Sequence, residues 1–326
     1  VLARQAGDGM LSARCDDRIA AANWELGRGG RTEFHLRRAL TVCRASGDED
    51  AIAHAWFRLG WYLADNLPAE AAEEALWLLD HARTHAQGKS DLRRVAECDE
   101  KAAWVKDAIG EKDEGIRLQR SAIAVFESIG DTRSALIATA NLAQRLYEVG
   151  AVEDAISRYR DIIRRSEMLT DRYIFAAASC RLGEVLSEIG QGAEALQILE
   201  GVADFFETND NAVEGTKYAL ALATTHRSMN NVQATREYSE LVLDRLDRAI
   251  LPSRHAKALE YLAECLLYDG DRAGAESLFG KAVALYLIDD LPGEARRVAE
   301  QIVPDPPRKR TNEEKNQPRL STGLYL

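Results

Sequence analysis

The sequence predicts an all-α fold: a right-handed α-solenoid of about seven helical hairpins, with a terminal helix and a disordered C-terminal tail. Three observations point there. Gly110, Gly150, Gly190, Asn230 and Gly270 recur every 40 residues, each after an apolar-periodic segment such as NLAQRLYEVG or YLAECLLYDG. A helix ends at such a point by turning left-handed, which Gly and Asn do at least steric cost. Small residues stand seven before the turn (Ala103, Ala143, Gly183, Ala223, Ala263) and five after it (Gly115, Ala155, Ala195, Thr235, Ala275). Paired small positions let two antiparallel helices approach closely. Third, composition changes sharply at Pro304, which divides the chain into a repeat array over residues 1–303 and a tail over 304–326.

The units follow in order. Extended backward, the 40-residue frame places Gly30 in a first unit, and WFRLGWYLADNLPAEAAEEAL supplies a second, with Trp56, Leu59, Gly60 and Ala72 in phase. Five further hairpins turn at the positions given above, and ARRVAEQIV, residues 295–303, reads as a helix covering the last unit. No hairpin can bury its apolar faces alone, so neighbours stack around one continuous core.

The order W-x2-L-G-x2-[YL], a turn, then A-x3-[FYL] resembles the tetratricopeptide repeat over about residues 10–303. The pitch departs from the usual 34 residues, and longer helices of this kind resemble arrays of bacterial sensor and regulator proteins. The resemblance implies a groove lined by the first helix of each pair, with the residue after the small position facing in. Those residues are Trp24, Trp61, Trp104, Gln144, Glu184, Thr224 and Glu264. An aromatic end and an acidic end are therefore expected, the indoles gripping an extended peptide or protein client at small entropic cost. Packing of the same rings between repeats is the competing expectation.

Charge and composition narrow the function further. A net charge of −11 argues against nucleic acid, whose binding needs a basic surface, and against an anionic membrane. No apolar run is long enough to span a bilayer, and the N-terminus lacks the order of a secretion signal. Five scattered cysteines without a C-x-x-C pair suit buried, reduced thiols in the cytoplasm. His81 and His85 stand one turn apart without a third ligand, and ELGRGGRTE lacks the Lys-Ser/Thr of a phosphate loop, so it reads as a turn between helices. No cofactor, metal or catalytic arrangement is expected, and the chain reads as a non-enzyme.

The tail holds four of the seven prolines with five basic and three acidic residues. It ends in Gly323, Leu324, Tyr325 and Leu326, which resembles the G-Q-Y-L ending of actinobacterial proteasome regulators and the hydrophobic-Tyr-X ending of other proteasome activators. That resemblance implies docking between α-subunits of the proteasome core particle, with the Leu326 carboxylate on a pocket lysine, the Tyr325 hydroxyl near the gate and Leu324 in apolar contact. Leu324 replaces the Gln of the actinobacterial pattern. A single tail binds weakly, so tight docking implies either a homo-oligomer or help from another regulator, and activation would need no ATP. The resulting expectation is a bacterial cytoplasmic adaptor: array on a client, tail on the proteasome. The alternative is a peptide-sensing receptor or regulator of a signalling or transcription system.

Overall fold

In the computed structural model the described residues are 9–25, 29–66, 69–208, 211–245, 252–289 and 291–302. They form sixteen α-helices and no strand. First helices of the hairpins are α1 (Gly9–Glu25), α3 (Glu49–Asn66), α5 (Leu92–Ala108), α7 (Thr132–Glu148), α9 (Arg172–Glu188), α12 (Ala212–Ser228) and α14 (Pro252–Tyr268). Their second helices are α2 (Gly29–Ser46), α4 (Ala72–Gly88), α6 (Lys112–Ser128), α8 (Val152–Met168), the pair α10 (Gly192–Glu200) and α11 (Ala203–Thr208), α13 (Val232–Arg245) and α15 (Arg272–Ile288). The last helix is α16 (Pro292–Ala299). The fold is thus the expected all-α array of helical hairpins.

All five turn residues of the 40-residue series are left-handed, with φ of 84°, 84°, 81°, 58° and 86° from Gly110 to Gly270. Each turn closes on the helix it ends: Gly110 N–H donates to Asp107 O at 3.0 Å and Glu111 N–H to Lys106 O at 2.8 Å, which satisfies carbonyls the helix leaves open. Ser90, Gly130 and Thr170 are left-handed as well, at φ 57°, 72° and 55°, so the backbone repeats on a half-period of 20. First helices carry matching start signals: Asp91, Asp131 and Asp171 accept from the N–H of Arg94, Ser134 and Ile174, as N-cap carboxylates do. Gly30 departs from the expected frame. It sits in the first turn of α2, not at a helix-ending turn; Glu25 and residues 29–33 of the ELGRGGRTE stretch are helical, and 26–28 lie outside the described residues.

The small pairs do what close approach requires. Ala103, Ala143, Ala155, Ala195, Ala223, Ala263 and Ala275 have no exposed surface. A Cβ on Gly183 would lie 3.0 Å from Leu199 side-chain atoms, and one on Gly115 would run into Asp107. The helices therefore pack with backbones nearer than larger side chains allow.

Two units are resolved by their internal contacts, Val1–Ala234 and Thr235–Leu326. In the first, buried residues such as Leu136, Tyr159, Ile162 and Leu186 form the core between successive hairpins. In the second, Phe279, Ala282 and Tyr286 pack with Ala295 and Val298 of α16. That terminal helix begins at Pro292, three residues before the expected start, because proline suits the first helical turn. Cys43, Cys98, Cys180 and Cys265 are buried as expected; Cys15 is exposed. Burial pushes the Cys98 thiol up to about 12, which keeps it in the unreactive protonated form. No helix among the described residues is long and apolar enough to cross a membrane.

Candidate functional site: the first-helix face

Within the first unit, adjacent first helices are stitched together by polar contacts between residues 36 to 41 apart. Arg58 of α3 donates to Asp17 of α1 at 2.8 Å, Lys101 of α5 to Asp65 of α3 at 2.8 Å, and Asn141 of α7 to Glu100 of α5 at 2.8 Å. The contact between Ser187 of α9 and Thr225 of α12, at 2.8 Å, continues the series. These contacts mark one side of the first helices, and Trp61, Trp104, Gln144 and Glu184 stand three or four residues from them in sequence, about one helical turn.

Trp61 is half-buried. Its indole N–H donates to Asp65 at 2.7 Å, one helical turn away, and Lys101 lies 4.3 Å from its ring centroid. Phe57 meets it edge-on at 5.2 Å, with the Arg94 guanidinium 3.8 Å above the Phe57 ring. One unit on, Trp104 is 42% exposed and the Arg145 guanidinium lies 4.7 Å from its centroid. Cations over aromatic faces are attracted by the ring quadrupole. Both tryptophans are thus backed by a cation from the following first helix, which is itself held by a carboxylate.

Arg145 is the more buried of these cations, with only 4% of its side chain exposed. It pairs with Asp107 and donates to Gln119 Oε1 at 3.0 Å, while Gln119 donates to the Ala138 carbonyl at 3.0 Å. Burial pushes the Asp107 carboxyl up against the opposing pull of Arg145. This network fixes the surface on which the Trp104 ring rests.

The remaining predicted residues divide. Gln144 and Glu184 are half-buried on the same face; Gln144 donates to Glu148 and Glu184 accepts from Arg181 at 3.0 Å. Trp24 is 37% exposed and meets Tyr62 edge-on at 5.4 Å. Thr224 was expected to face in but is buried. Glu264 is half-buried in the second unit. Gly323, Leu324, Tyr325 and Leu326 lie outside the described residues, as does the whole of 304–326.

Three features of the site had no sequence motif to announce them. Lys101 and Arg145 are ordinary charged residues until their positions, 40 and 41 after a tryptophan, are noticed. Trp56, Trp77 and His81 form a second aromatic cluster, with His81 and Trp77 ring centroids 3.8 Å apart. His81 and His85, the pair considered for metal, are engaged separately: His81 Nδ1 lies 2.8 Å from the Trp77 carbonyl oxygen, and His85 Nε2 lies 2.7 Å from Asp50. No cluster of three or more His, Cys, Asp or Glu among the described residues is placed to hold a metal ion.

Two cavities open beside the N-terminal half of α3. One, of about 400 Å3, lies between α1, α2 and α3; the other, of about 350 Å3, lies between α3, α4 and α5. Asp50 and His54 line both.

The fold defined by these hairpins is that of a tetratricopeptide-repeat array. No protein-family model and no curated protein matches the sequence. Among solved structures, a Rap protein complexed with competence and sporulation factor is similar at a TM-score of 0.65 and 14% identity, over 90% of this chain and 77% of that one. The Rap conjugation gene regulator of plasmid pLS20, in complex with the Phr* peptide, gives 0.64 and 15%, over 94% and 80%. The apo quorum sensor NprR from B. thuringiensis gives 0.55 and 10%, over 87% and 73%. At these identities the likeness is one of fold.

Proposed function

We propose that this chain is a non-catalytic, cytoplasmic peptide- or protein-binding regulator, and that an extended peptide lies along the first-helix face with Trp61 and Trp104 as anchors. Gln144 and Glu184 would give that peptide polar contacts, with Trp24 extending the line at its start; Glu264 is a candidate contact of the second unit by itself. The observation that carries the reading is Trp104, a large indole left 42% exposed on a face where a buried Arg145 holds it from behind. A ring fixed in this way loses little entropy when a ligand covers it. The fold supports a receptor reading over a proteasome adaptor, since two of the similar structures are complexes, one with a factor and one with a peptide, and a third is a quorum sensor.

Selection of binders from a random peptide display library tests it. Peptides recovered on the intact chain should lose at least about tenfold in affinity with Trp104→Ala or Trp61→Ala, the scale of a central aromatic anchor. Unchanged affinity in both variants would overturn the reading.

Tail docking, through Gly323, Leu324, Tyr325 and Leu326, is a separate reading, in which residues 304–326 form a tether on the 1–303 array. The solved structures described above give it no support. Recovery of proteasome core particle by the intact chain, but not by one lacking residues 324–326, would establish it; equal recovery would remove it.

A further inference from the structure

The cavity between α1, α2 and α3 shares Asp17 and Arg58 with the first-helix face but is lined by none of the tryptophans, and it has its own chemistry. Its floor is apolar, made by Met10, Leu36, Ala39, Cys43 and Ala55, and its volume of about 400 Å3 lies in the range of small-ligand sites. The charged residues on its wall are not equivalent. Asp17 is engaged by Arg58 and His54, and Asp50 by His85 and Lys89. Asp48 accepts from the Ala51 N–H at 3.1 Å, at the start of α3, where the helix dipole favours a negative charge. Arg14 and Arg18, one turn apart on α1, line the cavity and have no partner among the described residues.

Cations answer Asp17 and Asp50. The charges left without an ion-pair partner at the cavity are therefore the single carboxylate of Asp48, capping α3, and the two guanidinium groups of Arg14 and Arg18, a positive balance above an apolar floor. We propose that this cavity binds a small amphiphilic monocarboxylate, its hydrocarbon part against Leu36, Ala39 and Ala55 and its carboxylate between Arg14 and Arg18. A guanidinium pair suits a carboxylate better than any neutral head, because charge-assisted hydrogen bonds are the stronger ones. The inference does not depend on the peptide reading, since none of the tryptophans lines the cavity.

The sequence contains three methionines, Met10, Met168 and Met229, so methyl-labelled methionine gives one NMR signal from each and a built-in control. Decanoate is expected to shift the Met10 signal saturably and to leave Met168, which is 80% exposed, in place. Decan-1-ol at equal concentration should move Met10 much less. The double variant Arg14→Gln/Arg18→Gln should weaken decanoate about tenfold while leaving the melting temperature unchanged, since both residues are exposed and unpartnered. A Met10 signal that decanoate leaves unmoved, or that responds equally to the alcohol or in the double variant, overturns the proposal. So does a response to acetyl-Leu-Leu without one to decanoate, which would assign the cavity to a peptide terminus.

Discussion

Positions 104 and 224 hold the same register in their hairpins, each one residue beyond an alanine with no exposed surface, yet Trp104 is 42% exposed and Thr224 only 3%. On α12 the run from Ala219 to Thr225 is buried throughout. Its small side chains allow close approach to α9, where Ser187 and Thr225 join hydroxyl to hydroxyl. On α5 the indole is too large for that, and it lies outward over Arg145. At this register position α5 therefore leaves a side chain exposed, while α12 buries its own against α9. One repeated backbone serves both ends, and side-chain volume at a single register position decides which.

Removing the support beneath Trp104 should give the largest effect. Arg145→Ala leaves the buried Gln119 and the half-buried Asp107 without their partner, and breaking a buried ion pair from one side costs up to about 3 to 5 kcal/mol. Urea denaturation should show this as a lower midpoint with an unchanged slope. Trp104 should also lose its fixed position, so that peptide affinity falls although the ring remains. A variant as stable as the parent would show that the presenting region does not rest on this network.

In the closed region the matching substitution is Thr225→Val, which keeps the shape and removes the hydroxyl. Loss of the contacts to Ser187 and to the Ala221 carbonyl is expected to cost about 1 to 2 kcal/mol without changing peptide affinity. The double variant with Ser187→Ala should cost less than the two single changes added, as for any pair sharing one contact.

The fold was far more legible in the sequence than the site. A residue type that relieves a backbone constraint leaves a periodic trace, so Gly110 through Gly270 disclosed the turns and Ala103 through Ala263 the close contacts. The half-period leaves no such trace, because Ser90 and Thr170 adopt the left-handed conformation without being glycine, and no composition rule marks them. Gly30 misled for the opposite reason, being a glycine of the right spacing placed in a helix. At the site, spacing brought Trp61, Trp104 and Gln144 to one face, but Lys101 and Arg145 act through space from the next hairpin. Thr224 was misplaced because register fixes the direction of a side chain, whereas neighbouring volumes fix its exposure.

Thr170 offers a smaller test, one that touches the backbone common to both regions. A β-branched residue at φ 55° is strained by roughly 1 to 2 kcal/mol, so Thr170→Gly should stabilise the protein by about 1 kcal/mol once the lost flexibility of glycine is set against it. Peptide affinity should stay the same. If it changed, turn geometry as well as side-chain volume would be separating the presenting from the closed stretch.

The smallest effect concerns pH. Burial opposes ionisation of Asp17, but the nearby His54 imidazole and the hydrogen bond and charge of Arg58 outweigh it and lower the carboxyl to about 2, from an ordinary 3.8. A depressed carboxylate contributes stability that is complete above its unfolded value and lost as pH falls through its folded value. The α1 to α3 contact should therefore weaken between about pH 4 and pH 2, by under about 1 kcal/mol once solvent screening is allowed for. The hydroxyl contact between Ser187 and Thr225 has no such dependence. All five tryptophans precede residue 105, so their fluorescence reports the presenting end alone. It should change in this pH window in the parent and change less in Asp17→Asn, whose side chain is neutral throughout. Equal acid responses in the two proteins would place the acid-sensitive contact elsewhere in the array.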